Sequence, residues 1–376
     1  MKMYKEFAKE TWEKLDKKLS HTAIKSYDKI PYTSINGVHD DRTDDICWWT
    51  NGFWSALMTL MYAATKKEQY IKTARHSMDK MDKALMDYDG LHHDVGFMWN
   101  ISSGMDYRIT GDKKERNRFL LAANHLMGRF NKDAGFIRAW NDWAEGQCVK
   151  GWAIIDCMMN TPLLYRAAQE IQDDRFSMVA NAHADKTMKY HVRADGSCNH
   201  INEYDPQTGE FVKSHAGQGM YEGSSWSRGQ AWGLYGFALS YRYTKNKEYL
   251  DTAKRMAHYF IACASKTNWL TQCDFRQPLD EELYDTTAGA CAACGLLEIA
   301  DSVPESERAL YFDAAFNILK ALEKECDWTD KEDAILLKGT ERYADKKGHH
   351  IPIIYGDYFF AEGIYRLMGY DTSILW

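Results

Sequence analysis

Two aspartates stand in surroundings that change what a carboxyl can do. Asp156 lies in Ile154-Ile155-Asp156-Cys157-Met158-Met159-Asn160, with apolar residues on both sides. Desolvation of the charged form in such a run predicts a raised pKa. Asp94 lies in His92-His93-Asp94-Val95-Gly96-Phe97. A second carboxylate near the first would strengthen its hold on a proton. Paired carboxyls are the usual equipment of glycoside chemistry. Asp285 and Asp357 hold comparable places further along. Each of the four could instead cap a helix. Asp156, with its apolar flanks, fits the capping role least.

Other residues could hold a ligand. Arg228 and Trp232 are four apart in Trp226-Ser227-Arg228-Gly229-Gln230-Ala231-Trp232, hence on one helix face. A guanidinium there could pair with a carboxylate while the indoles stack on a ring. A structural ion pair is the alternative. His200 follows Gly196-Ser197-Cys198-Asn199 in a loop-like stretch. No H-E-x-x-H spacing occurs, and the adjacent His92 and His93 would not converge on a helix, so no metal is expected. Without a phosphate loop, G-x-S-x-G elbow or nucleotide fingerprint, no cofactor is expected either. The chain has nine cysteines, and Cys291-Ala292-Ala293-Cys294 sits in an apolar helical run. Those two read as small core residues in a reduced compartment.

These residues need a frame, and the sequence supplies helices. Only six prolines occur in 376 residues, helical periodicity dominates, and strand alternation is nearly absent. A loose repeat runs through the chain. An apolar helix from Trp49 breaks at Thr65-Lys66-Lys67-Glu68 and resumes from Ile71 to Leu85 as a more charged one. The same grammar recurs from Arg228, breaking at Thr244-Lys245-Asn246-Lys247. Six helical hairpins are predicted, starting near residues 49, 94, 156, 228, 285 and 357. First helices are apolar and second helices charged, the pattern of an inner and an outer ring. The expected fold is therefore an all-α (α/α)6 barrel, one domain over residues 1–376. The sixth hairpin lacks an outer helix, which the N-terminal helix, Met3 to Lys18, could supply. Loops at one end of the ring would form the site, chiefly residues 195–226 and 331–355.

Composition narrows the partners. The net charge of −7 argues against nucleic acid, which would favour a basic face. No stretch approaches the roughly 20 apolar residues that span a bilayer, and the N-terminus has no signal-like apolar core. A cytoplasmic address is expected, away from membranes, as a monomer or weak homo-oligomer. Thirteen Trp and 23 Tyr exceed what a core needs. Their flat apolar faces and polar rims suit sugars.

Four blocks together resemble unsaturated glucuronyl hydrolases, glycoside hydrolase family 88. They are His93-Asp94-Val95-Gly96-Phe97, Ile154-Ile155-Asp156-Cys157, Trp226 through Phe237, and Ile354-Tyr355-Gly356-Asp357-Tyr358. They occur in the family's order, and the resemblance spans about Trp49 to Leu367. It implies an (α/α)6 barrel with Asp94 and Asp156 catalytic, Asp156 as general acid and base. It implies substrate contacts from Trp49, Phe53, Trp140 (Trp143 being close by), His200, Gln218, Trp226, Arg228, Trp232 and Tyr355. The implied substrate is an oligosaccharide of glycosaminoglycan type ending in a 4,5-unsaturated uronic acid. An unsaturated rhamnogalacturonyl hydrolase acting on pectin fragments is the near alternative. A non-catalytic carbohydrate-binding barrel or a sugar epimerase is a more distant one.

Overall fold

The computed structural model describes residues 2–142 and 148–376. Thirteen α-helices are found among them. Six sets of inner helices follow one another: α2 (Gly52–Thr65), α4 (Val95–Trp99) with α5 (Ser103–Thr110), α7 (Thr161–Ile171), α9 (Ser227–Thr244), α11 (Thr286–Ala300) and α13 (Ile354–Leu367). Each packs on the next, and α13 packs on α2, so the ring closes. The outer helices are α3 (Glu68–Asp87), α6 (Lys113–Gly128), α8 (Asp174–Tyr190), α10 (Lys247–Ala264) and α12 (Glu305–Glu323). The sixth outer place is taken by α1 (Lys2–Lys25), which packs on α13 and α3. Trp12 meets Tyr365 edge-on at 6.0 Å, and Tyr4 meets Phe316 at 4.5 Å.

Four of the hairpin turns share a left-handed stop. The inner helix ends on a left-handed residue: Lys66 (φ 58°), Gly111 (73°), Gln172 (54°) and Lys245 (57°). A side-chain cap then starts the outer helix at Asp112, Asp173 and Asn246, each accepting a backbone N–H two residues on. Inner helices such as α11 are buried all round. Outer ones bury one stripe, as an amphipathic helix must.

Two features differ from the sequence reading. The inner helix after Asp94 is split at Asn100–Ser102 into α4 and α5. Residues 195–226 are not irregular throughout. They contribute β6 (Ile201–Tyr204) and β7 (Phe211–His215) to a three-stranded antiparallel sheet with β5 (Trp152–Ile154). The other ladders are two residues long: β1 (Ser34–Ile35) with β2 (Val38–His39), and β3 (Phe130–Asn131) with β4 (Phe136–Ile137). Cys291 and Cys294 are free, fully buried thiols on α11. None of the described helices is long and apolar enough to cross a membrane.

Aromatic rings fill the barrel axis. Phe53, Phe97, Trp232, Phe359 and Trp376 form a chain of contacts 5.1 to 5.8 Å apart, Trp376 lying flat on Phe359. The axis is thus a packed core, and open space remains at one end.

Candidate active site

A cavity of about 730 Å³ opens at the N-terminal ends of the inner helices. It is lined by Trp48 and Trp49 before α2, His92 to Asp94 before α4, Asp156 before α7, Arg228 on α9 and Tyr355 on α13. That volume is typical of a small-molecule site.

The small sheet sets the chemistry. β5 runs directly into a 3-10 turn, Ile155–Met159, that carries Asp156. The Ile155 N–H donates to the His200 carbonyl, extending the β5–β6 ladder by one bond. His200 is thereby placed beside Asp156, its Nε2 3.4 Å from Oδ2. The backbone N–H of Gln218 donates to His200 Nδ1 at 3.0 Å. With Nδ1 so engaged, Nε2 is the ring nitrogen left to face the carboxylate. His200 also rests on Trp226, ring centres 4.3 Å apart. Residues flanking Asp156 are buried, as their types predicted, but its own side chain is 15% exposed and opens to the cavity.

Gly217 makes that arrangement feasible. Its φ is +60°, and a Cβ there would lie 2.0 Å from His200 Nδ1. Gly217→Ala is expected to push His200 off Asp156 and lower turnover by about 100-fold, the scale of a 1 Å misplacement. Steady-state kinetics would check it, and turnover near wild type would remove His200 from the arrangement.

Asp94 is the more enclosed carboxyl, 6% exposed. It precedes α4 but makes no capping bond. Its Oδ1 accepts from Asn160 Nδ2 at 3.0 Å, while Oδ2 lies 3.3 Å from His92 Nδ1 and 3.4 Å from His93 Nε2. Burial, then the charge of Asp156, holds its pKa well above the usual carboxylate range. Burial and the nearby Arg129 push His92 down to about 3, and burial also holds His93 well below its ordinary value. Both imidazoles are therefore neutral. The two histidines do converge, contrary to the sequence expectation, because they lie in a turn ahead of the helix. Their ring nitrogens and an Asp94 oxygen fall within 4.8 Å of one another. The donor set argues against a cation there: Arg129 bears on both imidazoles, and the Asn160 amide already occupies Asp94 Oδ1.

Arg228 is 1% exposed and held from behind. Nη1 donates to Asp285 Oδ2 at 2.5 Å and to the Thr340 carbonyl at 2.6 Å; Nη2 donates to the Glu341 carbonyl at 2.7 Å. Its guanidinium lies over Trp226 at 4.6 Å and Tyr355 at 5.3 Å. The structural ion pair weighed from sequence is thus present, and Arg228 still reaches the cavity wall. Asp285 caps α11 and anchors Arg228. Asp357 is buried and accepts the Ile335 and Leu336 N–H groups, a structural duty away from the cavity; burial pushes it up to about 7.

Of the other expected contacts, Trp49, Trp140, His200, Gln218 and Tyr355 line the cavity. Trp143 lies outside the described residues. Phe53 and Trp232 have no exposure and belong to the axial aromatic core, and Trp226 stands behind His200. These three shape the wall from behind and do not line the cavity. Tyr32, Glu341 and Arg342 also line it; the last two fall in the 331–355 stretch expected to border the site, while Tyr32 gave no signal. Tyr32 hydrogen-bonds Glu341, and Gln218 Nε2 donates to the Glu341 carbonyl at 2.6 Å.

The model of Glycosyl Hydrolase Family 88 matches residues 17–299. The chain belongs to this family. The unsaturated glucuronyl hydrolase of Bacillus sp. (strain GL1) is 36% identical over 355 residues, covering 90% of this chain and 91% of that protein. An unsaturated chondroitin disaccharide hydrolase of Streptococcus pyogenes serotype M1 is 31% identical, covering 85% and 80%. The crystal structure of the Bacillus sp. GL1 enzyme, covering 95% of this chain and 96% of its own, superposes with a TM-score of 0.87 at 36% identity. A structure of an unsaturated glucuronyl hydrolase specific for heparin gives 0.88 at 28%, covering 97% of each chain. The family 88 enzyme described here is thus an (α/α)6-barrel glycosidase, with its cavity at the end of the barrel where the two aspartates meet.

Proposed function

We propose that this enzyme releases 4,5-unsaturated glucuronic acid from the non-reducing end of lyase-generated oligosaccharides of glycosaminoglycan type. The observation that carries the reading is the coupled pair: Asp156 open to the cavity, Asp94 buried beside it. Inner-helix N-termini face the same space, and their partial positive charge suits an anionic ligand. The relatives named above act on unsaturated uronides, which supports the substrate class.

The substrate ring is a vinyl ether, its C4=C5 bond conjugated with the C5 carboxylate. Asp156 delivers a proton to C4. Positive charge develops at C5 and the ring oxygen. The Asp156 carboxylate then takes a proton from water, whose oxygen adds to C5. The resulting hemiketal opens and the aglycone leaves. His200 Nε2 stands 3.4 Å from Asp156, and the enclosed Asp94 holds a proton beside it. Arg228, with Gln218, holds the uronate carboxylate. Trp49 and Trp140 offer ring faces to the sugars. Closure of the ring by α1 supports one catalytic domain over the whole chain.

The test is loss of the ultraviolet absorbance of the conjugated double bond when enzyme meets unsaturated disaccharides from chondroitin, hyaluronan, heparin and gellan. Turnover of at least one is expected. No loss with any of the four would reject the substrate class.

A further inference from the structure

We infer that Asn160 is a positioning residue that ties the Asp94 carboxyl to the backbone of the Asp156 turn and keeps the Asp94 proton available to Asp156. The inference rests on the acid–base reading given above. Asn160 is fully buried and all its polar atoms are committed. Its Oδ1 accepts the Phe97 backbone N–H at 2.9 Å, at the start of α4. That fixes the amide orientation, so Nδ2 must point the other way. Nδ2 donates to Asp94 Oδ1 at 3.0 Å and to the Asp156 carbonyl at 3.2 Å. One side chain thus spans the Asp94 turn and the Asp156 turn. Gly96 leaves the room that this arrangement needs: a Cβ there would lie 2.6 Å from Asn160 Oδ1.

The consequence is electrostatic. An N–H donated to a carboxylate favours its charged form. Burial and Asp156 push the proton onto Asp94, and the Asn160 amide opposes them. The groups facing Asp94 are His92 and His93 ahead of α4, Arg129 at the end of α6, and Asp156 with Cys157 on the 3-10 turn. Facing Asp156 are His200, His191 and Cys198. Both histidines on Asp94 are neutral, which leaves Asn160 and Arg129 as the groups that favour an ionised Asp94. Without the amide, Asp94 holds its proton more firmly, and less of it is available to Asp156, the carboxyl more open to the cavity.

Two variants test this on disaccharides that the wild-type enzyme turns over, so a failure of the substrate reading would already have been seen. Asn160→Leu removes the donor at similar volume. Asn160→Asp keeps the acceptor for Phe97 N–H and replaces the donor with a second acceptor. Both are expected to lower kcat about tenfold or more, the scale of a lost hydrogen bond to a charged group. Both should also move the alkaline limb of the kcat profile upward by about one pH unit, because the pair holds its proton more tightly. KM is expected to change little. A structural role alone would lower activity with the limb in place. Should one variant fail to fold, as judged by thermal melting, the other decides. A folded variant with the wild-type limb, whatever its kcat, overturns the assignment.

Discussion

Asp156→Asn is expected to lower kcat by about 10³-fold, within the range spanned by general acid–base groups, with KM little changed. The amide has the shape of the carboxyl but can neither give a proton to C4 nor take one from water. Its neighbours should stay in place. His200 is held by the Gln218 N–H and by Trp226, independently of the Asp156 charge. The turn is held by the Ile155 N–H on the His200 carbonyl. Ligand affinity should therefore survive, and it can be measured by calorimetry with the unsaturated disaccharide. Turnover within tenfold of wild type would remove Asp156 from the acid–base role. Asp94→Asn makes the contrast. It leaves Asp156 with no partner for the shared proton, so the expected signature is a changed pH profile along with the lost rate.

The barrel was legible because its signal is redundant. Inner helices such as α2 and α11 are largely apolar, outer helices such as α3 and α10 bury one stripe, and polar breaks such as Lys66-Lys67 and Lys245-Asn246 repeat between them. Even the closure by α1 followed from counting an outer helix that was missing. The sheet beside the site was not legible. Phe211-Val212-Lys213 are all exposed, so β7 shows no alternation of apolar and polar residues. That sheet carries His200 to Asp156, so the arrangement of the acid–base pair was hidden with it. A second limit is depth. Arg228 and Trp232 share a helix face, as their spacing requires, but four residues of helix rise about 6 Å. Arg228 sits at the cavity and Trp232 one turn deeper, inside the aromatic axis. Trp49 and Phe53 divide in the same way. Spacing tells which face residues share; where the barrel is filled and where it is open depends on axial aromatics contributed by distant helices, Trp376 among them.

Arg228 joins stability to binding, and replacing it should separate the two. Arg228→Met leaves Asp285 charged and fully buried with no cation. Breaking a buried pair in this way costs about 3–5 kcal/mol. At about 2 cal/mol/K of unfolding entropy per residue, that lowers Tm by about 5 °C for a chain of this length. Asp285→Leu should cost a similar amount by orphaning Arg228 and uncapping α11. The double variant Arg228→Met with Asp285→Leu removes both charges together. Its loss is expected to be clearly smaller than the sum of the two single losses, since a matched apolar pair leaves no unpaired charge. Activity should not follow stability. Arg228 also holds the Thr340 and Glu341 carbonyls, and the Glu341 carbonyl receives Gln218 as well. Without the guanidinium, the wall that carries Glu341 and Arg342 loses its anchor and the uronate loses its cation. The double variant should therefore melt no lower than either single variant yet show a KM raised at least tenfold, the scale of a lost charge-assisted contact. Thermal melting and steady-state kinetics on the same three proteins decide the matter. A double variant with wild-type KM would make Arg228 purely structural, and strict additivity of the stability losses would deny the coupling between the two charges.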